Sequence, residues 1–412
     1  MPSAVESATF PAGSDAPGVL LISPVKGSQL PATDIARVPK ATPFVDTTLL
    51  PKAENCLAHL HLLEAFIQLR CQIHRLAGRS LSDSLASSEL AWNAYVEAAT
   101  VKFANWASTL SQTPDDTPLS LPTLDILMVW HAFMLNPVKY AHFEKLTNLP
   151  RAGIPWADLP SSWDAPLALP SPSNQPNHTS TIPFDLAAAV HRQHAFAAKM
   201  TRYAWHRSPF AQEITHRSIT RYANFFSILK TDRSTRSMAV PTLDIDLVWH
   251  THQLNPGAYR DFARIEPSRD SSGAGFVNHD DTIEEAVLQD SFRATRDLYK
   301  EMFNEEYNIC LCWACGASAG REGEIDAETL QLEIGDKIEE ECLRRQEMGM
   351  VIAPDLAMSK CGLCSEHGGR ECPEGARKRA CGCGKDGCTG CGGSTCTTSN
   401  CGGCGGCGGC GG

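Results

Sequence analysis

The chain has 412 residues, with 36 Lys plus Arg against 47 Asp plus Glu and a net charge of −11 when histidine is neutral. That length allows two domains and a tail, and the acidic balance argues against duplex nucleic acid, which is normally held by a basic face. No cationic start leads into an apolar core, and no run of about 18 apolar residues occurs. Neither a secretory signal nor a membrane span is therefore expected. The expectation is a cytoplasmic protein, with the nucleus open, in a compartment where thiols stay reduced.

Residues 1–50 are rich in Pro, Ser, Ala and Thr without a clear period, and read as a disordered lead-in. From Pro51 the spacing turns helical. Leu57, Leu60, Leu63, Ile67 and Cys71 recur at three- and four-residue intervals, the mark of an amphipathic helix. A second helix is expected from about Ser88 to Leu110, with Trp92, Tyr95, Ala99, Phe103 and Trp106 along one face. A third is expected from about Thr123 to Leu135, stopped by Asn136-Pro137, because proline cannot continue a helix. Residues 151–182, which include several Pro, Ser and Asn, read as a linker.

The same order then returns. The stretch Pro122–Pro137 is matched by Pro241–Pro256 at an offset of 119 residues, and Lys102–Leu110 by Arg221–Leu229 at the same offset. His61–Phe66 resembles His191–Phe196, with an extra 11 residues between the first two helices of the first copy. The fold expected is all-α. It would hold two tandem pseudo-repeats of about three helices each, over 51–150 and 183–308, with a disordered N-terminus and a Gly/Cys-rich C-terminal tail. A helix of about 24 residues is expected from Thr282 to Glu305, and a Cys-containing acidic helical segment over 309–360. Residues 361–412 have almost no apolar side chains to bury and read as a disordered tail.

Within this frame the second copy carries chemistry that the first lacks. Trp130 and His131 align with Trp249 and His250, but Leu127 aligns with Asp246 and Phe133 with His252. Asp246 and His250 are four apart and share a helical face, so the carboxylate can orient the imidazole for a metal or for general-base work. His252 lies about 200° around an ideal helix from His250 and cannot share an ion with it unless the helix unwinds. His279, in the loop that follows, could fold back onto either residue. The structural reading stands beside this one, because His131 persists in the first copy without a carboxylate: a histidine packed beside its tryptophan and bonded to a backbone carbonyl. Asp125 and Asp244 fall in the first turns of their helices, where a negative charge contributes roughly 0.3–1 kcal/mol.

Sixteen of the 18 cysteines lie after residue 309. Cys310, Cys312 and Cys315, with Cys361 and Cys364, have spacings found in zinc sites. The final Cys-Gly-Gly repeats are too regular to define one geometry, so a disordered tail that loads metal opportunistically is the rival reading.

These residues together resemble the glycine-rich domain protein family, formerly a domain of unknown function, in a fungal-type form with a Gly/Cys-rich tail. The resemblance rests on Pro241–Pro256, on Pro122–Pro137 and on Val277–Asp281. Shorter bacterial relatives look similar at a pattern that falls here on Asp246, Trp249, His250, His252, Leu254, Tyr259 and His279. The resemblance implies links to growth and stress responses, as in plant members, and an RNA-binding role suggested for those members through a short motif. This chain has no aromatic Lys/Arg-Gly-Phe signature of that kind. Three functions are open: an interaction or scaffold protein with an unknown protein partner, a metal-dependent hydrolase or oxygenase using zinc or iron at Asp246, His250 and one of His252 or His279, and metal handling by the cysteine tail. The scaffold reading expects the Asp246–His250 cluster to be saturated by protein partners. The enzyme reading expects it to reach solvent.

Overall fold

The structure, a computed structural model, describes residues 46–78, 85–110, 119–147, 149, 153–160, 163, 184–231, 239–264, 275–283, 285–313, 316, 327–348 and 350. The tail over 361–412, nearly all of the lead-in and most of the linker fall outside these residues. Among the described residues there are helices and no strands. None of these helices is long and apolar enough to cross a membrane.

Among the described residues ten α-helices follow one another: α1 Ala53–Gly78, α2 Leu85–Leu110, α3 Leu124–Met134, α4 Pro137–Thr147, α5 Leu186–Tyr203, α6 Ala211–Thr231, α7 Leu243–Gln253, α8 Pro256–Phe262, α9 Glu285–Phe303 and α10 Ala327–Glu347. The first difference from the sequence reading is α4. Pro137 does not end the helical chain; it opens a new helix at the position where its missing N–H is no loss. Asn136 caps that helix by accepting from Lys139 N at 3.2 Å. Asn255 does the same for α8, accepting from Ala258 N at 3.2 Å. The helix-proline-helix corner is locked by one bond in each motif: Trp130 Nε1 donates to Tyr140 Oη and Trp249 Nε1 to Tyr259 Oη, both at 3.0 Å.

The second difference is α1. The spacing predicts an amphipathic helix, but residues around most of its circumference are buried, including Cys56, His59, Leu62, Leu63, Phe66 and Ile73. Helix α1 packs against α2, α5, α6 and α7 and runs through the middle of the molecule. Such a helix is apolar on more than one face because it has neighbours on more than one side. Helix α2 keeps its expected face, with Trp92, Tyr95, Ala99 and Phe103 buried.

Two apolar clusters result, and they cross the sequence order. The larger joins α1–α4 to α5, Trp313 and Ile334 and Ile338 of α10. The smaller joins Tyr222, Phe225 and Phe226 of α6 to Trp249, Tyr259, Phe262 and Tyr299, and takes Cys56 from α1. The acidic α10 docks through its arginines: Arg344 Nη2 reaches buried Glu64 of α1 at 2.6 Å, and Arg345 Nη2 donates to Thr201 O of α5 at 2.5 Å. Gly153 marks the tightest crossing between the two motifs. It has φ +73°, and a Cβ there would lie 1.8 Å from Leu254 O, while Ile154 N donates to that same oxygen at 3.1 Å. Only glycine meets both demands.

Asp125 and Asp244 do more than face a helix dipole. Asp244 is ion-paired with Arg221 at 2.7 Å, and both side chains are buried. Arg221 also donates to Tyr307 O at 2.6 Å and Glu306 O at 3.1 Å. The aligned pair, Lys102 and Asp125 at 2.6 Å, has its lysine 57% exposed.

Candidate metal centre

Helix α7 supplies two of the groups. Asp246 and His250 stand one turn apart, with Oδ1 and Nε2 separated by 3.4 Å. The third arrives from the segment after α8. An isolated antiparallel bridge pairs Arg264 with Phe276, Val277 N donates to Ala263 O at 2.9 Å, and Tyr259 Oη donates to Val277 O at 2.8 Å. This places the His279 ring edge-on to Trp249, with centroids 4.8 Å apart. His279 Nε2 then lies 3.2 Å from His250 Nε2 and 3.6 Å from Asp246 Oδ1. Two residues on, Asp281 is tethered to α5 by Arg192 and Gln193, each at 3.0 Å.

The three atoms form a nearly regular triangle with edges of 3.2, 3.4 and 3.6 Å. Among the described residues they are the one set of three or more His, Cys, Asp or Glu side chains whose ligand atoms converge. Nitrogen and oxygen ligands about 2.0–2.1 Å from a tetrahedral ion lie about 3.3–3.4 Å from one another. On an octahedral face at similar bond lengths the separation falls to about 3.0 Å. The observed edges match the tetrahedral case.

Hydrogen bonding agrees with that reading. Asp246 Oδ1 is buried and has no hydrogen-bond partner, as is His250 Nδ1. His279 Nδ1 faces Leu135 O at 3.4 Å. Only a protonated Nδ1 can use that carbonyl, which leaves the Nε2 lone pair directed into the triangle. Burial drives His250 down to about 4, against the attraction of Asp246. It is therefore neutral at physiological pH, as a ligand must be. Burial pushes the Asp246 carboxyl up, but the His250 and His279 imidazoles outweigh it and hold the group below its ordinary range. Burial lowers His279, yet Asp246 and Asp281 raise it above the ordinary histidine value. Asp246 is the ligand nearest solvent, its side chain 22% exposed.

The remaining sequence candidates lie elsewhere. His252 points into the smaller apolar cluster, where its Nδ1 meets Tyr222 Oη at 3.1 Å and its ring packs 4.7 Å from Phe262. The helix does not unwind, so the structure does not bring His252 to the triangle. Cys310 and Cys312 are buried with their Sγ atoms 3.3 Å apart; Cys315, Cys361 and Cys364 lie outside the described residues.

His131 is held differently from the backbone bond expected of it. Thr251 Oγ1 donates to Leu247 O at 2.8 Å, so it accepts from His59 Nδ1 at 2.9 Å. His59 Nε2 is then an acceptor for His131 Nε2–H, also at 2.9 Å. These three bonds complete one another, and burial keeps both rings neutral, with His131 at about 3. The first motif thus closes its histidine with a second histidine from α1, while the aligned His250 is left facing Asp246 and His279.

Sequence reasoning passed over Gln253. It is buried, and neither its amide nitrogen nor its amide oxygen has a partner. The signal was present in the alignment of the motifs, because Gln253 replaces Met134 at the same offset that pairs Asp246 with Leu127.

Comparison with known proteins places this site in context. Residues 164–261 match the family described as Glycine-rich domain-containing protein-like. Two Arabidopsis thaliana proteins are similar. Glycine-rich domain-containing protein 2 is 28% identical over 246 residues, which is 52% of this chain and 29% of that protein. Glycine-rich domain-containing protein 1 is 28% identical over 227 residues, 48% of this chain and 26% of that protein. The match therefore spans less than a third of the length of either relative. No solved structure matches. The matched region runs through α5–α8 and includes Asp246 and His250, and these similarities support a relationship to the glycine-rich domain family.

Proposed function

We propose that this chain is a metal-dependent member of the glycine-rich domain family, built on an internal duplication whose second copy has become the metal centre. Asp246, His250 and His279 would hold the ion, and zinc fits the spacing better than iron. The observation that carries the reading is the triangle itself: three converging ligand atoms at tetrahedral separation, one of them a buried carboxylate oxygen without a hydrogen bond. His250 and His279 meet each other at 3.2 Å, but a saturated structural cluster would also have closed the Asp246 oxygen, as His59 and Thr251 complete the bonding around His131. The interaction-scaffold reading therefore ranks second.

Three protein ligands leave a fourth tetrahedral position open. An ion held by Asp246, His250 and His279 would supply a water acidified toward neutrality, the chemistry that metal-assisted hydrolysis needs. The protein's own part is to keep His250 neutral, to fix His279 through Leu135 O and to hold Asp246 at the edge facing solvent. The duplication reading draws on the matched Trp–Tyr corners, the matched asparagine caps and the constant offset.

Metal content of the purified full-length chain tests this directly. Wild type should carry one more equivalent of zinc than Asp246→Leu, while His252→Phe should equal wild type. Both substitutions install what the first motif already tolerates, and metal on the cysteine tail cancels in the difference. Equal metal in wild type and Asp246→Leu would sink the proposal.

A further inference from the structure

We infer that the Gln253 carboxamide is a second working part of this centre: it binds the water or small anion that occupies the open position on the ion. The inference rests on the metal reading above and goes beyond it in naming what holds the fourth ligand.

Asp246, His250 and Gln253 stand at i, i+4 and i+7 on α7, within about 60° of arc at 100° per residue. They form one stripe, and the His279 ring stands at its Asp246–His250 end, with its centroid 4.7 Å from that of His250. Gln253 is 1% exposed, and both polar atoms of its amide are unpartnered. A carboxamide buried in that way is destabilising unless something completes its hydrogen bonds. Among the described residues nothing does so. His250 Nδ1 on the same helix and Asn278 Oδ1 beside His279 are also buried without partners.

The first motif shows that the frame does not require an amide there. Met134 fills the aligned position and Leu127 the position of Asp246, both fully buried in the apolar core. The second motif changes both members of one stripe. A change of Leu127's counterpart alone would give a ligand; the paired change gives a ligand and a neutral hydrogen-bonding group one turn beyond the histidine. A carboxamide suits that task. Its N–H donates to a bound hydroxide or anion and its carbonyl accepts from water, without adding a charge that would oppose deprotonation of the water. Gln253 is in this sense a positioning residue.

The test uses the full-length chain loaded with Co²⁺. The spectrum of wild type minus that of Asp246→Leu isolates the cobalt held by the triangle from cobalt held by cysteines. Azide is then titrated against that signal, and the pH at which its bands shift is recorded. Gln253→Met should keep the cobalt signal and bind azide at least tenfold more weakly. Gln253→Glu, which keeps the acceptor but replaces the donor with a charge, should weaken azide further and raise the pH of the band shift. If both variants match wild type in azide affinity and in that pH, the inference is overturned while the metal centre stands. Loss of the cobalt signal in Gln253→Met with its retention in Gln253→Glu would make residue 253 a ligand and would likewise overturn it. Absence of any difference signal in wild type would remove the metal reading itself. Should Gln253→Met fail to fold, the near-isosteric Gln253→Glu decides alone.

Discussion

Replacing Asp244 with asparagine should cost far more than making the same change at Asp125, although the two residues occupy aligned positions. Arg221 and Asp244 have side chains 5% and 2% exposed and meet at 2.7 Å. Removing the carboxylate leaves a guanidinium buried, and breaking such a pair typically costs about 3–5 kcal/mol. Arg221 keeps its bonds to Tyr307 O and Glu306 O, so the lower end, about 3 kcal/mol, is expected. In the other motif the Lys102 ammonium is 57% exposed and returns to water when Asp125 is neutralised. That pair belongs with surface salt bridges, worth about 0–1 kcal/mol. The difference of about 2 kcal/mol or more is read from urea midpoints of the two full-length variants, in buffer with chelator so that metal linkage does not enter. The double change Arg221→Met with Asp244→Leu should recover much of the loss, because an apolar pair can replace a buried ion pair. Equal midpoints for Asp244→Asn and Asp125→Asn would refute the reasoning that burial, rather than position on the helix, sets the energy.

Two further outcomes follow from the geometry. Tyr259→Phe removes the hydroxyl that accepts from Trp249 and donates to Val277 O; it should weaken metal binding by about 10-fold or more through a loosened His279, whereas Tyr140→Phe should leave metal affinity unchanged, as equilibrium dialysis would show. His194 is held down to about 3, chiefly by burial and then by Arg70, and Arg70 Nη1 meets its Nδ1 at 3.0 Å. Its folded pKa lies below the unfolded value, so the unfolded chain takes up the proton first and stability falls as pH drops from about 6.5 toward 3, at about 1.4 kcal/mol per pH unit for this group. His194→Gln keeps an acceptor for Arg70 and should flatten the pH dependence of the thermal midpoint in that window; an unchanged slope would show that this histidine is not the titrating group.

The two motifs show which parts of the molecule could be read from the chain alone. Helical class followed from three- and four-residue spacing, and the buried face of α2 followed from Trp92, Tyr95, Ala99 and Phe103, because a helix with one packed side writes its pattern into the sequence. Helix α1 hid its role, since a helix packed on several sides loses the single stripe that marks orientation. Pro137 and Pro256 were ambiguous for a different reason: the same residue ends one helix and starts the next, and only the Asn136 and Asn255 caps with the Trp–Tyr bonds decide that both occur.

For the candidate centre, the sequence by itself determined that Asp246 and His250 share a face, because four residues make about one helical turn. It also determined that His252 points away, and it contained the Met134-to-Gln253 change. Tertiary structure alone decided that His279, 29 residues beyond His250, completes the triangle. Its position depends on the Arg264–Phe276 bridge, the Tyr259 hydroxyl and the Leu135 carbonyl of the other motif. Those are contacts between segments separated in sequence. No local spacing encodes them.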